Sequence, residues 1–262
     1  MAEVVSLPFH TKESVDYINS WSNTHTNGHI PHLVDDLNGV MALANAVCFK
    51  APWAGEFPKE ETRDGVFTRE DHSEVVVPMM HKKQAACYTH YKDFAALGLP
   101  YGDGKHWTMY ILLPDEGKDA NGIVEWLSSE TWTDCTQRMA AGAQTVDILL
   151  PRFRAEGDYE LKDILSKMGV QSMFQSRNEF GLVSSHSEGL CVGLLKQKTF
   201  MDVSEEGTEA AAVSIALLDN AVAPGEDNGQ DNTATFHATR PFIYLIQEDT
   251  SKAILFMGIF KG

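Results

Sequence analysis

The chain has 262 residues, 43% of them hydrophobic and 10% aromatic, which is enough to bury a sizeable core and too apolar for general disorder. Its formal net charge of −16 argues against nucleic acid or an anionic membrane as partner, because phosphate binding needs clustered Lys and Arg and no such patch is present. No apolar run reaches transmembrane length, and Met1-Ala2-Glu3 opens on an acidic residue where a signal peptide needs a positive start and an apolar stretch, so no export signal is visible.

The elements read in chain order as an α+β chain rich in strands. Thr11 is placed to cap a helix in which Val15, Ile18 and Trp21 or Ser22 recur at near-helical spacing, and Asn27-Gly28 ends it. Strands are expected at Met41 to Phe49, Val75 to Met80, Ala86 to Tyr91, Thr108 to Leu113 and Thr145 to Leu150. Shorter helical patterns lie near Gly122 to Ser128 and Thr131 to Ala141. Asp158 is expected to cap a further helix, with Leu161, Ile164, Leu165 and Met168 as its buried stripe and Gly169 as its stop. Near the end, Phe242 to Gln247 and Ala253 to Phe260 flank the polar turn Glu248 to Lys252, a hairpin signal. There is no internal repeat and no interdomain linker, so residues 1–262 are expected to form a single domain.

Patterns that could signal enzyme or metal chemistry fail on inspection. His25, His29 and His32 are separated by Gly28 and Pro31, so they do not share a helix face and read as a polar helix end; no metal site is expected. Ser184, Ser185 and Ser187 flank His186, yet neighbours in sequence do not make a nucleophile and base pair, and no G-x-S-x-G elbow exists. Gly102-Asp103-Gly104 lacks the helix start that a phosphate loop needs and reads as a tight turn. Cys48, Cys87, Cys135 and Cys191 are widely spaced and read as unpaired, with Cys48 a small buried hydrophobe. The chain is therefore not expected to be an enzyme, and no cofactor is implied.

The most informative stretch is Glu205 to Ala216, EEGTEAAAVSIA. In an extended chain Thr208, Ala210, Ala212, Ser214 and Ala216 line one face with small side chains, so such a strand can slide between two others without displacing a core. The Ala-rich centre also has good helix propensity, and Glu205-Glu206-Gly207 is permissive enough to pivot. Asp219 to Thr233 follows, holding Pro224, Gly225 and Gly229 with no apolar period, and is expected to be an exposed loop. Polar strand material around Thr235 to Thr239 and the run from Phe242 to Ile246 tether its far end.

These features resemble the serpins, the serine protease inhibitor family. EEGTEAAA is similar to the family's hinge, and Phe236 to Ile246, FHATRPFIYLI, carries its F-x-x-x-R-P-F core. Asn45-Ala46-Val47-Cys48-Phe49-Lys50 leading to Trp53 and Phe57, Val77-Pro78-Met79-Met80, LGLPYGDG from Leu97, ILLPDEG from Ile111 and Leu150-Pro151-Arg152-Phe153 follow in family order. Thr26 to Ile30 resembles the T-x-G-x-I exit of the family's crossing helix. The resemblance runs from about Val4 to Phe260 and implies serpin-like β-sheets with packed helices and an exposed reactive loop, as one serpin-like domain that lacks the N-terminal helices of a complete member.

The resemblance implies a suicide-substrate inhibitor of serine proteases. A protease acylates the loop, and the freed hinge strand inserts into the main sheet, a switch in which about ten to fourteen newly paired residues at roughly 1 kcal/mol each give on the order of 10 kcal/mol. The hinge would be Glu205, Glu206, Gly207, Thr208, Glu209, Ala210, Ala211 and Ala212. The family interval from Gly207 places the reactive bond at Ala221-Val222, which suits an elastase-like or subtilisin-like partner, with Leu217 or Leu218 as a shifted alternative for a chymotrypsin-like one. Asn45, Trp53 and Arg152 match positions where the sheet opens, and an ion pair between Glu205 and Arg152 is expected to hold that end closed. Gln197-Lys198 departs from a pattern in which many members carry His before the Lys. A monomer is implied, with loop-to-sheet self-association as the competing state, and an extracellular location rests on the family alone. The alternative is an inactive truncated fragment or a non-inhibitory binding protein with an open apolar sheet face.

Overall fold

A computed structural model of the chain describes residues 3–37, 39–104, 106–175, 180, 190–208 and 233–262. Its strands are β1 (Ala42–Cys48), β2 (Ala51–Pro52), β3 (Arg63–Thr68), β4 (Glu74–Tyr91), β5 (Phe94–Tyr101), β6 (Trp107–Pro114), β7 (Gln144–Pro151), β8 (Phe153–Glu160), β9 (Leu194–Ser204), β10 (Gly207–Thr208), β11 (Ala234–His237), β12 (Phe242–Glu248) and β13 (Ile254–Phe260). The helices are α1 (Lys12–His25), α2 (Ala120–Trp126), α3 (Ser129–Ala141) and α4 (Lys162–Lys167), with single 3-10 turns at Lys59–Glu61 and Ser172–Phe174. The chain folds as two compact units, Met1–Phe49 with Ala155–Met201 and Lys50–Arg154 with Asp202–Gly262.

The first unit is built on α1. The Thr11 hydroxyl accepts from the Ser14 amide at 3.3 Å, satisfying one of the helix's free N–H groups. Asn27 and Gly28, at φ 51° and 88°, take the left-handed turn that ends the helix. Val15, Ile18 and Trp21 pack with the buried Leu33, Val34 and Leu37 against Ala42, Ala44 and Ala46 of β1. β1 runs parallel to residues 194–200 of β9, with Asn45 opposite Gln197. Because side chains alternate along a strand, the helix covers the alanine face, while Leu43 and Asn45 on the other face are exposed.

The helix expected to start at Asp158 is a correction. Residues up to Glu160 belong to β8, and the Asp158 carboxylate pairs with Lys196 and, at 3.0 Å, with Lys198 on β9. Its charge thus serves two strand lysines rather than helix amides. The short α4 has no side-chain cap, and Ile164 and Met168 are 49% and 74% exposed, so the expected stripe is not buried. Gly169, at φ 99°, does provide the stop.

The second unit holds an eight-stranded sheet ordered β11-β7-β4-β5-β6-β12-β13, with β3 also pairing with β4. The two strands expected at Val75 to Met80 and Ala86 to Tyr91 are one 18-residue strand, β4, which serves β3, β7 and β5 along its length. The expected C-terminal hairpin is present, with Phe242 opposite Phe260. Helices α2 and α3 bury Ile123, Trp132, Cys135 and Met139 against Phe94, Leu112, Ile243 and Leu245. Cβ at Gly258 would sit 2.4 Å from the Tyr244 hydroxyl oxygen, so a larger residue at this strand position would require the Tyr244 ring to move. None of the four cysteines is joined in a disulfide; Cys135 is buried, whereas Cys48 is only partly covered.

Lys82 turns inward from β4 and is 6% exposed. Its ammonium donates to the Gly55 carbonyl at 2.6 Å and lies 4.0 Å from the centre of the Phe57 ring. Burial pushes this amine down to about 7. The folded state therefore disfavours the proton that the unfolded chain holds up to about pH 10.4, so the penalty is full below pH 7 and shrinks as pH rises above it. Lys82→Met is expected to gain more stability at pH 6 than at pH 9, by about 2 kcal/mol or more, in paired urea titrations.

Candidate functional site

The segment expected to be the hinge begins at the end of β9. Glu205 and Glu206 form a tight turn, and β10 returns antiparallel to β9 with Gly207 opposite Ser204 and Thr208 opposite Val203. On its other side β10 pairs antiparallel with β2, Gly207 opposite Pro52 and Thr208 opposite Ala51. Gly207 sits at φ 142°, and a Cβ there would come 2.3 Å from the Ala51 carbonyl oxygen. Both the backbone angle and the close approach exclude other residues.

Side chains lock this turn from several directions. The Trp53 indole N–H donates to the Ser204 carbonyl at 2.8 Å, and the Trp53 and Phe57 amides donate to the Glu206 and Glu205 carbonyls at 3.0 and 2.9 Å. Trp53 stacks on Tyr101 with centroids 4.3 Å apart and planes inclined by 10°. The Tyr101 hydroxyl meets the Thr208 hydroxyl at 2.6 Å, and both residues are buried. Burial raises the Tyr101 pKa above its ordinary value, so the phenol stays neutral and able to donate.

The expected ion pair is present and is more buried than a surface pair. Arg152 Nε donates to both Glu205 carboxylate oxygens at 2.9 and 2.8 Å, and its Nη2 reaches Oε1 at 2.6 Å. The Glu205 side chain is 3% exposed and that of Arg152 46%. The Thr62 hydroxyl adds a donor to Glu205 at 2.5 Å, and Lys59 pairs with Glu206. Burial alone would raise the Glu205 carboxyl; the Arg152 guanidinium and the Thr62 hydroxyl outweigh it and hold the group below its usual range.

Trp53, Arg152, Glu205, Glu206, Gly207 and Thr208 thus meet in the second unit. Asn45 belongs to the first unit, on the exposed face of β1. Glu209, Ala210, Ala211 and Ala212, the bond Ala221-Val222, Leu217 and Leu218, and the Ser184 to Ser187 cluster lie outside the described residues. Tyr101, Thr62 and Lys59 were not singled out from sequence, although Tyr101 falls inside the LGLPYGDG motif. The three histidines have separate partners: His25 contacts the Trp21 carbonyl, His29 lies against Phe200 and His32 pairs with Asp35 at 2.7 Å. Among the described residues, no group of three or more His, Cys, Asp or Glu side chains is placed to hold a metal ion.

A family model described as Serpin (serine protease inhibitor) matches residues 1–261. The chain belongs to the serpin family. It is 34% identical to a leukocyte elastase inhibitor of Equus caballus, an alignment covering 100% of this chain and 70% of that serpin. Serpin B3 of Homo sapiens is 32% identical, over 96% of this chain and 64% of its own length. Among solved serpin structures, native tengpin, a thermophilic serpin, superposes with a TM-score of 0.78 at 24% identity, covering 96% of this chain and 64% of tengpin. Human thyroxine-binding globulin superposes with a TM-score of 0.79 at 25% identity, covering 98% of this chain and 66% of that protein. The chain thus spans about two thirds of the length of the serpins it matches.

Proposed function

We propose that this serpin inhibits a serine protease as a suicide substrate, and that the protease cuts between Ala221 and Val222. The protease serine attacks the Ala221 carbonyl, the bond to the Val222 nitrogen breaks and that nitrogen leaves as an amine, so Ala221 remains esterified to the enzyme. The hinge strand then extends β10 into the sheet and carries the acylated protease with it. The observation that carries this reading is the seat of Thr208: the first small residue of the hinge row is already paired between β2 and β9 and buried. The small apolar pair Ala221-Val222 and the resemblance to leukocyte elastase inhibitors favour an elastase-like or subtilisin-like partner.

Incubation with pancreatic elastase or subtilisin is expected to give a denaturant-resistant complex, with a released C-terminal fragment whose mass corresponds to a start at Val222. A fragment starting elsewhere would overturn the assigned bond. The exposed face of β1, with Leu43 41% exposed, favours a second reading in which the chain is cut but does not trap. Cleavage without a stable complex would support that reading.

A further inference from the structure

At the His81 imidazole of β4 a turn and strand β7 of the second unit meet, and strand β11 joins them through Asp147. Its Nδ1 lies 2.8 Å from a carboxylate oxygen of Glu61, on the Lys59–Glu61 turn, and its Nε2 lies 2.7 Å from Asp147 of β7. The other Asp147 oxygen is 3.3 Å from Nε2 of His237, on β11. The sheet register explains the grouping. His81 and His237 both stand opposite Leu149, and Asp147 is two residues away on the same face of β7.

An ionised carboxylate only accepts hydrogen bonds, and a neutral imidazole has a single N–H. His81 faces an acceptor at each nitrogen, so the arrangement is satisfied only when both nitrogens carry hydrogen and the ring is charged. In the neutral ring one lone pair would point at a carboxylate oxygen. Asp147 first, and Glu61 after it, hold the His81 pKa above its ordinary value against the opposing effect of burial. Other charged groups on the packed elements are Lys83 of β4, in register with Asp147, Lys82 beside it, which turns inward to the Gly55 carbonyl and is held down to about 7 by burial, Glu74 at the start of β4, Asp64 and Arg63 of β3, the latter donating to the Thr62 carbonyl at 2.8 Å, and Lys59 and Glu60 on the turn itself.

What this imidazole joins is specific. The Lys59–Glu61 turn and Thr62 hold the hinge, through Lys59 to Glu206 and Thr62 to Glu205. β11 is a four-residue edge strand whose inner anchor is the buried Phe236, so its outer face is fixed by His237 alone among the ion pairs described. We propose that the proton on His81 is a staple that ties the turn supporting the hinge to edge strand β11, and that rising pH loosens both together. Because the folded-state pKa is raised, the staple is complete below about pH 6.5 and is lost as pH climbs through the higher native value.

The test is amide hydrogen exchange of residues 59–62 and 235–237 between pH 5.5 and 8.5, corrected for intrinsic rates, alongside NMR titration of the His81 ring. In the parent, both segments are expected to lose protection several-fold across one midpoint that coincides with His81 and lies above about 6.5. His81→Gln should abolish this loss with rising pH at both segments, leaving only the opposite trend, a gain of stability as Lys82 loses its proton, and His237→Gln should abolish it at 235–237 only. Glu61→Gln, on the exposed turn, should lower the His81 midpoint and supplies a reading if His81→Gln does not fold. A His81 midpoint at or below the ordinary imidazole value, one unmoved by Glu61→Gln, or a loss of protection with rising pH that persists in His81→Gln would each overturn the proposal.

Discussion

If the chain traps its protease as proposed, Thr208→Arg is expected to turn it from an inhibitor into a substrate that is released. Thr208 is fully buried between β2 and β9, with its hydroxyl 2.6 Å from that of Tyr101. A guanidinium at this position would have to be desolvated without a counter-charge, at a cost of several kcal/mol. Because Thr208 is already seated in the uncleaved chain, that cost unpairs β10 in the intact variant, and after cleavage the arginine would have to be seated anew against the roughly 10 kcal/mol that about ten newly paired residues supply. Acylation should be unaffected, because the bond lies well beyond the hinge, but insertion should lag behind hydrolysis of the ester. The ratio of cleaved serpin to denaturant-resistant complex should therefore rise steeply, and Ala212→Arg, further along the same small row, should behave alike. Thr208→Ser keeps the hydroxyl and the small volume and should trap protease as the parent does. If the arginine variants trapped as well as the parent, strand insertion would not be the mechanism.

The second large effect is expected at Arg152. Removing its side chain in Arg152→Ala leaves the Glu205 carboxylate, 3% exposed, with the Thr62 hydroxyl as its remaining described side-chain donor. Because the arginine is 46% exposed, water partly replaces it, and the loss is about 2–3 kcal/mol rather than the larger figure of a wholly buried pair. The urea midpoint should fall with an unchanged slope. The pH dependence identifies the cause. Glu205 has a depressed native pKa, so the stability it contributes is present above the ordinary carboxyl range near about 4.3 and is lost as pH falls through the lower native value. The difference between parent and variant should accordingly narrow towards pH 3. A difference that stayed constant there would assign the loss to packing of the arginine stem instead.

How much of this could be read from the chain depended on the distance over which each contact forms. The Glu205–Arg152 pair was legible because both residues sit at breaks in strand patterns that follow in family order, and the serpin fold was legible in the same motifs. Thr62, Tyr101 and Lys59 were not, since they reach the hinge from 143, 107 and 147 residues away and no local period marks them. β4 was read as two strands because His81 to Gln84 is a polar interruption, yet Lys82 turns inward there and the strand continues past it. Asp158 shows the converse. A carboxylate just before an apolar spacing looks the same in sequence whether it caps a helix or answers two lysines on a neighbouring strand.

The short strand β10 has a kinetic consequence. Growing a new strand is slow chiefly at its first step, when chain freedom is given up before any ladder of hydrogen bonds compensates for it. Gly207 and Thr208 have already made that step, since they are paired on both sides in the uncleaved chain. On the proposed mechanism, insertion after cleavage would proceed by elongation from a standing nucleus, one residue pair after another. In the race against ester hydrolysis that this mechanism sets, the strand would start without a search.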